Sequence, residues 1–206
     1  MMNYTHETLD MKIISALDKL CQIQRTLLWE TGKRENLSPI QMQFLAYLSK
    51  YPSAMRRVSV MADEFGLTKA TVSEALDSLD SKGLVKKTRD EEDRRSYVIE
   101  LSRSGMAMIR KTDGWRGMMA SHAGRMTADE KRKAYNFMVR LIKSLHDDGI
   151  IRMARLCVSC GNYSGAGDGT FSCRLLGEVF PEDEMNIGCE YYNEKRGVQE
   201  ARAWKD

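Results

Sequence analysis

The stretch from Val58 to Leu101 decides the fold of this 206-residue chain. It reads VSVMADEFGLTKATVSEALDSLDSKGLVKKTRDEEDRRSYVIEL, in which Gly66 separates two helical patterns and a highly charged segment separates two strand patterns. Gly66 supplies the backbone freedom of a tight turn, and Thr68 is a typical cap for the helix that follows. This order of helix, turn, helix and hairpin predicts a winged helix-turn-helix, a structure that binds duplex DNA.

The second helix of this unit has a buried face and a polar face. Its apolar residues recur at steps of three and four, which predicts that they face the core. These residues are Val72, Ala75, Leu76 and Leu79. Gly83 is the expected left-handed residue after the helix. Beyond it, Leu84 to Thr88 and Ser96 to Leu101 alternate apolar and polar residues, as the strands of a half-buried hairpin do.

The same stretch resembles the MarR (multiple antibiotic resistance regulator) family. Three features carry the resemblance: a recognition helix rich in Thr and Ser, a Leu-x-x-Lys-Gly-Leu-Val exit from Leu79 to Val85, and an Asp-x-x-Asp-Arg-Arg wing from Asp90 to Arg95. The resemblance extends from about Leu9 to Leu145. Together the three motifs are specific, whereas a helix-turn-helix pattern alone is a weak signal.

The resemblance implies a set of DNA-binding residues. On the recognition helix, four side chains are expected to contact base edges: Thr68, Lys69, Thr71 and Ser73. From the wing, Arg94 or Arg95 is expected to reach the DNA, with Asp93 orienting that arginine. The alternative for the wing is a solvated hairpin tip whose charges pair only with one another.

Two long helical patterns flank this unit, one from Leu9 to Trp29 and one from Thr127 to Leu145. The family resemblance implies that these helices interlock across a two-fold axis, so the predicted partner is a second copy of the chain. Paired recognition helices in such a homodimer read a pseudo-palindromic operator in double-stranded DNA. The alternative is that both apolar stripes pack within one chain.

The resemblance also suggests a pocket for a small-molecule effector between the long helices and the winged unit. Residues that could line such a pocket are Trp29, Tyr47, Trp115 and Arg116. The helical body is rich in methionine, which suits an adaptable pocket as well as an irregular core. Ordinary core packing is the alternative for each of these residues.

The composition limits where and how the chain works. The net charge is +3, but the part from Cys157 onward has nine acidic and five basic residues. A basic body with an acidic appendage suits a DNA-binding domain over 1–150 and an extension over 151–206. The N-terminus has no secretory pattern and no segment is long and apolar enough to span a membrane, so we expect a cytoplasmic protein without membrane partners.

The extension contains four of the five cysteines, in the stretch Arg155 to Tyr192, RLCVSCGNYSGAGDGTFSCRLLGEVFPEDEMNIGCEYY. Cys157 and Cys160 form a knuckle-like Cys-x2-Cys pair, and Cys173 and Cys189 complete a set of four thiolates suited to tetrahedral Zn2+. An iron-sulfur cluster is the alternative cofactor, and redox-active or inert thiols are a third reading. The glycine-rich segment is too polar to build a core, which predicts that this module needs its metal to fold.

The sequence therefore predicts a mainly α protein: a winged helix-turn-helix with long N- and C-terminal dimerisation helices and a small cysteine-rich metal module. No catalytic constellation stands out, so we do not expect an enzyme. The predicted function is a dimeric, sequence-specific transcription regulator, a repressor relieved by a small ligand or by a redox or metal change at the cysteines. The alternative is an iron-sulfur electron carrier or oxidoreductase in which the helices are only a scaffold.

Overall fold

The structure is a computed structural model that describes residues 8–89, 97–151, 155–165, 169–181 and 184–193. Within these ranges the helices and strands follow one another in the order α1 (Leu9–Glu35), α2 (Pro39–Lys50), the short 3-10 helix η1 (Ser53–Met55), α3 (Val58–Phe65), α4 (Lys69–Ser81), β1 (Val85–Arg89), β2 (Tyr97–Leu101), α5 (Arg103–Thr112), α6 (Gly114–Ala123), α7 (Ala128–Asp147), the 3-10 helix η2 (Cys157–Ser159), β3 (Tyr163–Gly165), β4 (Thr170–Cys173) and β5 (Glu178–Pro181). No described helix is both long enough and apolar enough to cross a membrane.

Helix α2 is the centre of the helical body. It begins with a capping box, in which the Ser38 hydroxyl accepts from the Gln41 N–H and the Gln41 side-chain oxygen accepts from the Ser38 N–H. Its Leu45 and Leu48 are fully buried against α1, α4, α5 and β2. Each such leucine stabilises the fold by about 1.5–3 kcal/mol.

The helix-turn-helix forms as the sequence predicts. Helix α3 ends at Gly66, whose backbone is left-handed with φ 62°, and the Leu67 N–H donates to the Ala62 carbonyl at 2.9 Å. Thr68 caps α4 at its start. The predicted inward-facing residues of α4 are fully buried at Val72, Leu76 and Leu79, and Ala75 packs against the same core while partly exposed.

The two strands after α4 form an antiparallel hairpin. Val85 pairs with Leu101, and Arg89 pairs with Tyr97 at the outer end. On its other edge, β2 contacts the loop before α3, because the Ile99 N–H donates to the Arg56 carbonyl at 2.9 Å. The hairpin and the helix-turn-helix are therefore joined by backbone hydrogen bonds as well as by sequence.

The long flanking helices differ slightly from prediction. The sequence pattern ends the first helix at Trp29, whereas α1 continues to Glu35 and ends at Asn36, whose φ is 55°. The helix after the wing is divided into α5 and α6 at Asp113, close to the predicted bend at Gly114. The large apolar residues that α1 leaves exposed in the single chain are Leu9, Met11, Ile14, Leu20, Ile23 and Trp29.

The described residues between 155 and 193, here called the cysteine module, contain an antiparallel sheet of order β3-β4-β5. Phe171 is 3% exposed and stacks on Tyr163 on one side and on Phe180 on the other, at centroid distances of 5.5 and 5.4 Å. Sequence analysis misses this sheet and expects no core in the segment. The module thus has a small aromatic core of its own.

Candidate functional site

The N-terminal end of α4 is the first candidate site. The Thr68 hydroxyl accepts a hydrogen bond from the Thr71 N–H at 3.1 Å and lies 2.9 Å from the Thr71 hydroxyl. Thr68, Lys69 and Thr71 are exposed, and Ser73 is half-buried with its hydroxyl 3.5 Å from Asp77. Because the opposite face of the helix is buried, this polar end projects from a rigid base. All four recognition-helix residues predicted from sequence therefore lie together on the first two turns.

The wing adds positive charge beside this helix. Lys86, Thr88 and Arg89 on β1 are exposed, and Lys87 forms an ion pair with Asp77 of α4. This ion pair ties the wing to the recognition helix. The predicted wing residues Asp93, Arg94 and Arg95 lie outside the described residues. Lys86 and Arg89, which sequence analysis did not single out, add exposed positive charge to β1.

The second candidate site is the cysteine module. Its four cysteines line one cavity of about 40 Å³, together with aromatic and leucine side chains. All five cysteines of the chain lie in described segments and have free thiols. Cys21, the cysteine outside the module, is exposed on α1, although its place between Leu20 and Ile23 suggests a buried packing residue. Among the described residues, no group of three or more His, Cys, Asp or Glu side chains is arranged as a metal ion requires.

Backbone N–H groups nevertheless surround two of the sulfur atoms. The Cys157 sulfur accepts from the Asn186 N–H at 3.3 Å, and the Cys160 sulfur accepts from the N–H groups of Asn162 and Asn193 at 3.5 and 3.4 Å. Such donors favour the thiolate form. Burial nevertheless raises the pKa of the Cys157 thiol, the Asn186 N–H lowers it, and the other three cysteines raise it further. A bound cation would relieve both the burial cost and the mutual repulsion of these sulfurs.

Sequence analysis missed the contact between the cysteine module and the helix-turn-helix. Arg155 is 3% exposed, and its Nε lies 3.0 Å from Oε2 of Glu64 on α3. The Tyr51 hydroxyl donates to the Gly188 carbonyl at 3.0 Å. The Tyr135 hydroxyl of α7 donates to the Met185 carbonyl. No sequence signal marks Arg155, because a single arginine between apolar residues does not reveal a partner almost a hundred positions away.

The residues predicted for an effector pocket are not brought together. Trp115 and Arg116 line a small cavity beside Leu28, whereas Trp29 lines a separate open cleft of about 410 Å³ with Lys82. Tyr47 lines neither cavity. It is 5% exposed and its hydroxyl donates to the Met55 carbonyl at 3.1 Å. Burial raises the pKa of Tyr47 to about 12, consistent with a neutral phenol in the core.

Comparisons with known proteins agree with this architecture. Residues 35–96 match the model of the MarR family. The HTH-type transcriptional repressor MdtR of Bacillus subtilis (strain 168) is 27% identical over 143 residues, which cover 68% of this chain and 90% of MdtR. Two solved structures share the fold. The S. aureus MepR-DNA complex has a TM-score of 0.58 at 18% identity and covers 68% of this chain and 100% of MepR. A MarR protein from Peptoclostridium difficile DA00132 has a TM-score of 0.59 at 19% identity, covering 68% and 90%.

About a third of this chain lies outside each of these likenesses. The predicted recognition helix, by contrast, lies entirely inside the matched residues 35–96. The sequence led to the same family through the recognition helix rich in Thr and Ser, the exit from Leu79 to Val85 and the wing motif from Asp90 to Arg95. The winged helix-turn-helix of this chain thus matches the MarR family over residues 35–96.

Proposed function

We propose that the chain is a sequence-specific, double-stranded-DNA-binding transcription regulator that acts as a repressor in the cytoplasm. The observation that carries this proposal is the exposed polar end of α4, held on a base of fully buried Val72, Leu76 and Leu79. The name of MdtR, a transcriptional repressor, and the DNA-bound structure of MepR support it. These relatives are regulators and not enzymes, which agrees with the prediction that the chain is not an enzyme.

In this proposal α4 enters the major groove with its N-terminal end leading. Thr71 and Ser73 then contact base edges, and the Lys69 ammonium neutralises a phosphate. The positive end of the helix dipole adds to the attraction for the backbone. Lys86 and Arg89 of β1 add contacts to the phosphates, and Arg94 or Arg95 supplies the wing contact.

The test is a selection of binding sites from random duplexes with the full chain, followed by fluorescence anisotropy on selected and random DNA at several salt concentrations. We expect the selected duplex to bind at least about a thousandfold more tightly than random DNA. Because each protomer of the proposed dimer loses one phosphate contact, Lys69→Ala should reduce the slope of log affinity against log salt by about 1.8, while Lys133→Ala, exposed on α7, leaves it unchanged. Equal affinity for both duplexes contradicts sequence-specific binding.

We further propose that the working unit is a homodimer that reads a pseudo-palindrome. Supporting this are the exposed apolar side chains of α1, together with Phe137 and Met138 of α7, which are 42% and 39% exposed in the single chain. Large apolar side chains exposed along two helices favour a partner surface that covers them. Sedimentation at micromolar concentration should give a dimer, and Leu20→Glu should shift it toward monomer. Lys19→Glu, also exposed on α1, is the matched control and should remain a dimer.

The four cysteines of the module are proposed as ligands of one Zn2+ ion, with an iron-sulfur cluster as the alternative. Cys157, Cys160, Cys173 and Cys189 meet at one cavity, and backbone N–H groups on two of the sulfurs supply the donors that surround metal thiolates. Full ligation requires the sulfurs to draw together from their positions in the described structure. Zn2+ would supply a structural charge centre and no redox chemistry.

Anaerobic purification followed by metal analysis and a visible spectrum tests this site. One colourless zinc per chain supports the proposal, whereas colour together with iron and sulfide indicates the cluster. Cys173→Ser should release the metal, and Cys21→Ser, which alters the exposed thiol on α1, should not. Full metal occupancy in Cys173→Ser contradicts the four-cysteine site.

A small-molecule effector stays a prediction, and the cleft beside Trp29 and Lys82 is the larger of the two cavities that the predicted effector residues line. The alternative of an iron-sulfur electron carrier is not favoured, because it gives no reason for a capped recognition helix with a basic wing strand. The DNA-binding assay separates the two classes.

A further inference from the structure

Arg155 is a buried charged residue at the start of the cysteine module. It stands two positions before Cys157, is 3% exposed, and has a left-handed backbone with φ 43°. An arginine is rarely buried to this extent without a partner of opposite charge. A non-glycine residue in this backbone region also costs free energy, so the surrounding contacts must hold it there.

The partner of Arg155 is Glu64, the penultimate residue of α3. Arg155 Nε lies 3.0 Å from Glu64 Oε2, and the Glu64 side chain is 18% exposed. The guanidinium carbon lies 5.2 Å from the centre of the Tyr51 ring, and Nη1 donates to the Met55 sulfur at 2.9 Å. Burial raises the pKa of Glu64, while the charges of Arg155 and Lys50 lower it. Removal of Arg155 would therefore leave Lys50 as the charge that offsets the burial of the Glu64 carboxylate.

A second contact joins the opposite end of the cysteine set to the same place. The Tyr51 hydroxyl donates to the carbonyl of Gly188, the residue before Cys189, and the Cys189 N–H donates to the Arg155 carbonyl at 3.2 Å. Gly188 has φ 72°, and a Cβ there would lie 2.4 Å from the Tyr51 hydroxyl oxygen. Arg155 and Gly188 thus tie the segments of Cys157 and Cys189 to one surface of the helical body.

That surface belongs to the DNA-binding unit. Glu64 is two residues before the Gly66 turn, and α3 packs directly on α4. The Tyr47 and Tyr51 rings lie 4.4 Å apart, and Tyr47 also contacts Phe65 at 5.5 Å. Movement of Arg155 would therefore displace α3, the helix before the Gly66 turn and the recognition helix α4.

We propose that Arg155 couples the state of the cysteine centre to the position of α3 and α4, so that metal loading and operator binding strengthen each other. This inference rests on the proposed function. Arg155 lies two positions before Cys157, and Gly188 directly precedes Cys189. Ligation of these two cysteines would therefore hold Arg155 and Gly188 in their positions against the helical body. The contact between Arg155 and Glu64 then holds α3 in place. The helix-turn-helix therefore loses less conformational entropy when it binds DNA. The coupling is reciprocal because it is a property of the equilibrium.

The test measures affinity for the selected duplex at one salt concentration, with the full chain either loaded with zinc alone or stripped by a chelator. We expect loaded wild type to bind about tenfold more tightly, and the duplex to raise zinc affinity by the same factor. Arg155→Ala should keep one zinc per chain but lose this dependence. Arg125→Ala, in the exposed segment before α7, is the matched control and should behave as wild type.

Glu64→Gln provides a second variant, in which the carboxylate charge is removed with little change in shape. It should also reduce the tenfold effect while retaining zinc. Hydrogen exchange gives a readout that needs neither DNA nor metal: Arg155→Ala should raise the exchange rates of the amides of α3, and Arg125→Ala should not. Equal DNA affinity of loaded and stripped wild type, or weaker binding by the loaded form, overturns the coupling.

The possible failures are distinguishable. If the selection yields no preferred duplex, the proposed DNA-binding function fails. If zinc does not bind, the proposed metal site fails. In either case unchanged exchange of α3 in Arg155→Ala overturns the coupling on its own, and raised exchange supports the mechanical contact on which it depends.

Discussion

Thr68 combines a structural role with a place at the proposed DNA surface, and two substitutions separate the roles. Its hydroxyl accepts from the Thr71 N–H at 3.1 Å, which satisfies one of the free N–H groups at the start of α4. The side chain is exposed, so its removal takes little apolar area out of the core. The cost of Thr68→Ala is therefore that of the cap, about 1 kcal/mol in the free energy of unfolding.

Thr68→Asp keeps the cap, because a carboxylate accepts the same N–H bond and suits the positive end of the helix. We expect its stability to stay within about 0.5 kcal/mol of wild type. Its charge, however, would face the DNA phosphates, so its affinity for the operator should fall by at least about tenfold. Thr68→Ala should show the reverse order: the larger loss in stability and the smaller loss in binding.

Thermal unfolding at a fixed protein concentration measures the first effect, and anisotropy at a fixed salt concentration measures the second. For a chain of this size, 1 kcal/mol corresponds to a decrease of about 2–4 °C in Tm. Constant concentration matters because association shifts Tm. Wild-type operator affinity in Thr68→Asp would refute the placement of this end of α4 at the DNA. Unchanged Tm in Thr68→Ala would refute its role as a cap.

Three other predictions concern separate parts of the chain. Arg94→Ala or Arg95→Ala should weaken operator binding by about 1–3 kcal/mol without changing Tm; full affinity in both variants contradicts the wing assignment. Glu64 has a raised pKa in the fold, so the folded state holds its proton more tightly, and this contribution to stability is lost as pH rises from about 4.5 through the raised pKa. Glu64→Gln should remove that part of the pH dependence, as urea unfolding between pH 4 and 7 would show. Gly188→Ala should detach the cysteine module and increase its cleavage by protease, whereas Gly177→Ala, with a similar φ of 69° but open space at the Cβ position, should only strain its turn. Equal protection of both glycine variants contradicts the close contact.

The helix-turn-helix could be predicted because the forces that form it are local. A cap at Thr68, apolar steps of three and four, and a glycine turn all lie within one short stretch of sequence. Fully buried Val72, Leu76 and Leu79 confirm that pattern. Thr68, Lys69 and Thr71 are exposed and Ser73 is half-buried, since a helix with one buried face fixes the direction of the other.

The C-terminal third could not be predicted in this way. Its strands are three or four residues long, and Phe171 becomes buried only because Tyr163 and Phe180 stack on it from neighbouring strands. Such contacts between neighbouring strands produce no regular spacing of apolar residues in the sequence. The end of α1 was misplaced for a related reason: Gly32 is buried because the Leu37 carbonyl passes close to it, a contact made by the chain after it turns back.

The pairing of Arg89 with Tyr97 and the bond from Ile99 to the Arg56 carbonyl have a consequence for how such a regulator diverges. The base of the hairpin is fixed by backbone hydrogen bonds that are largely indifferent to side-chain identity. Under the proposed wing contact, substitutions between Arg89 and Tyr97 would therefore change operator preference without changing this frame. Two copies that arise by gene duplication would then diverge in operator preference while every buried residue stays the same.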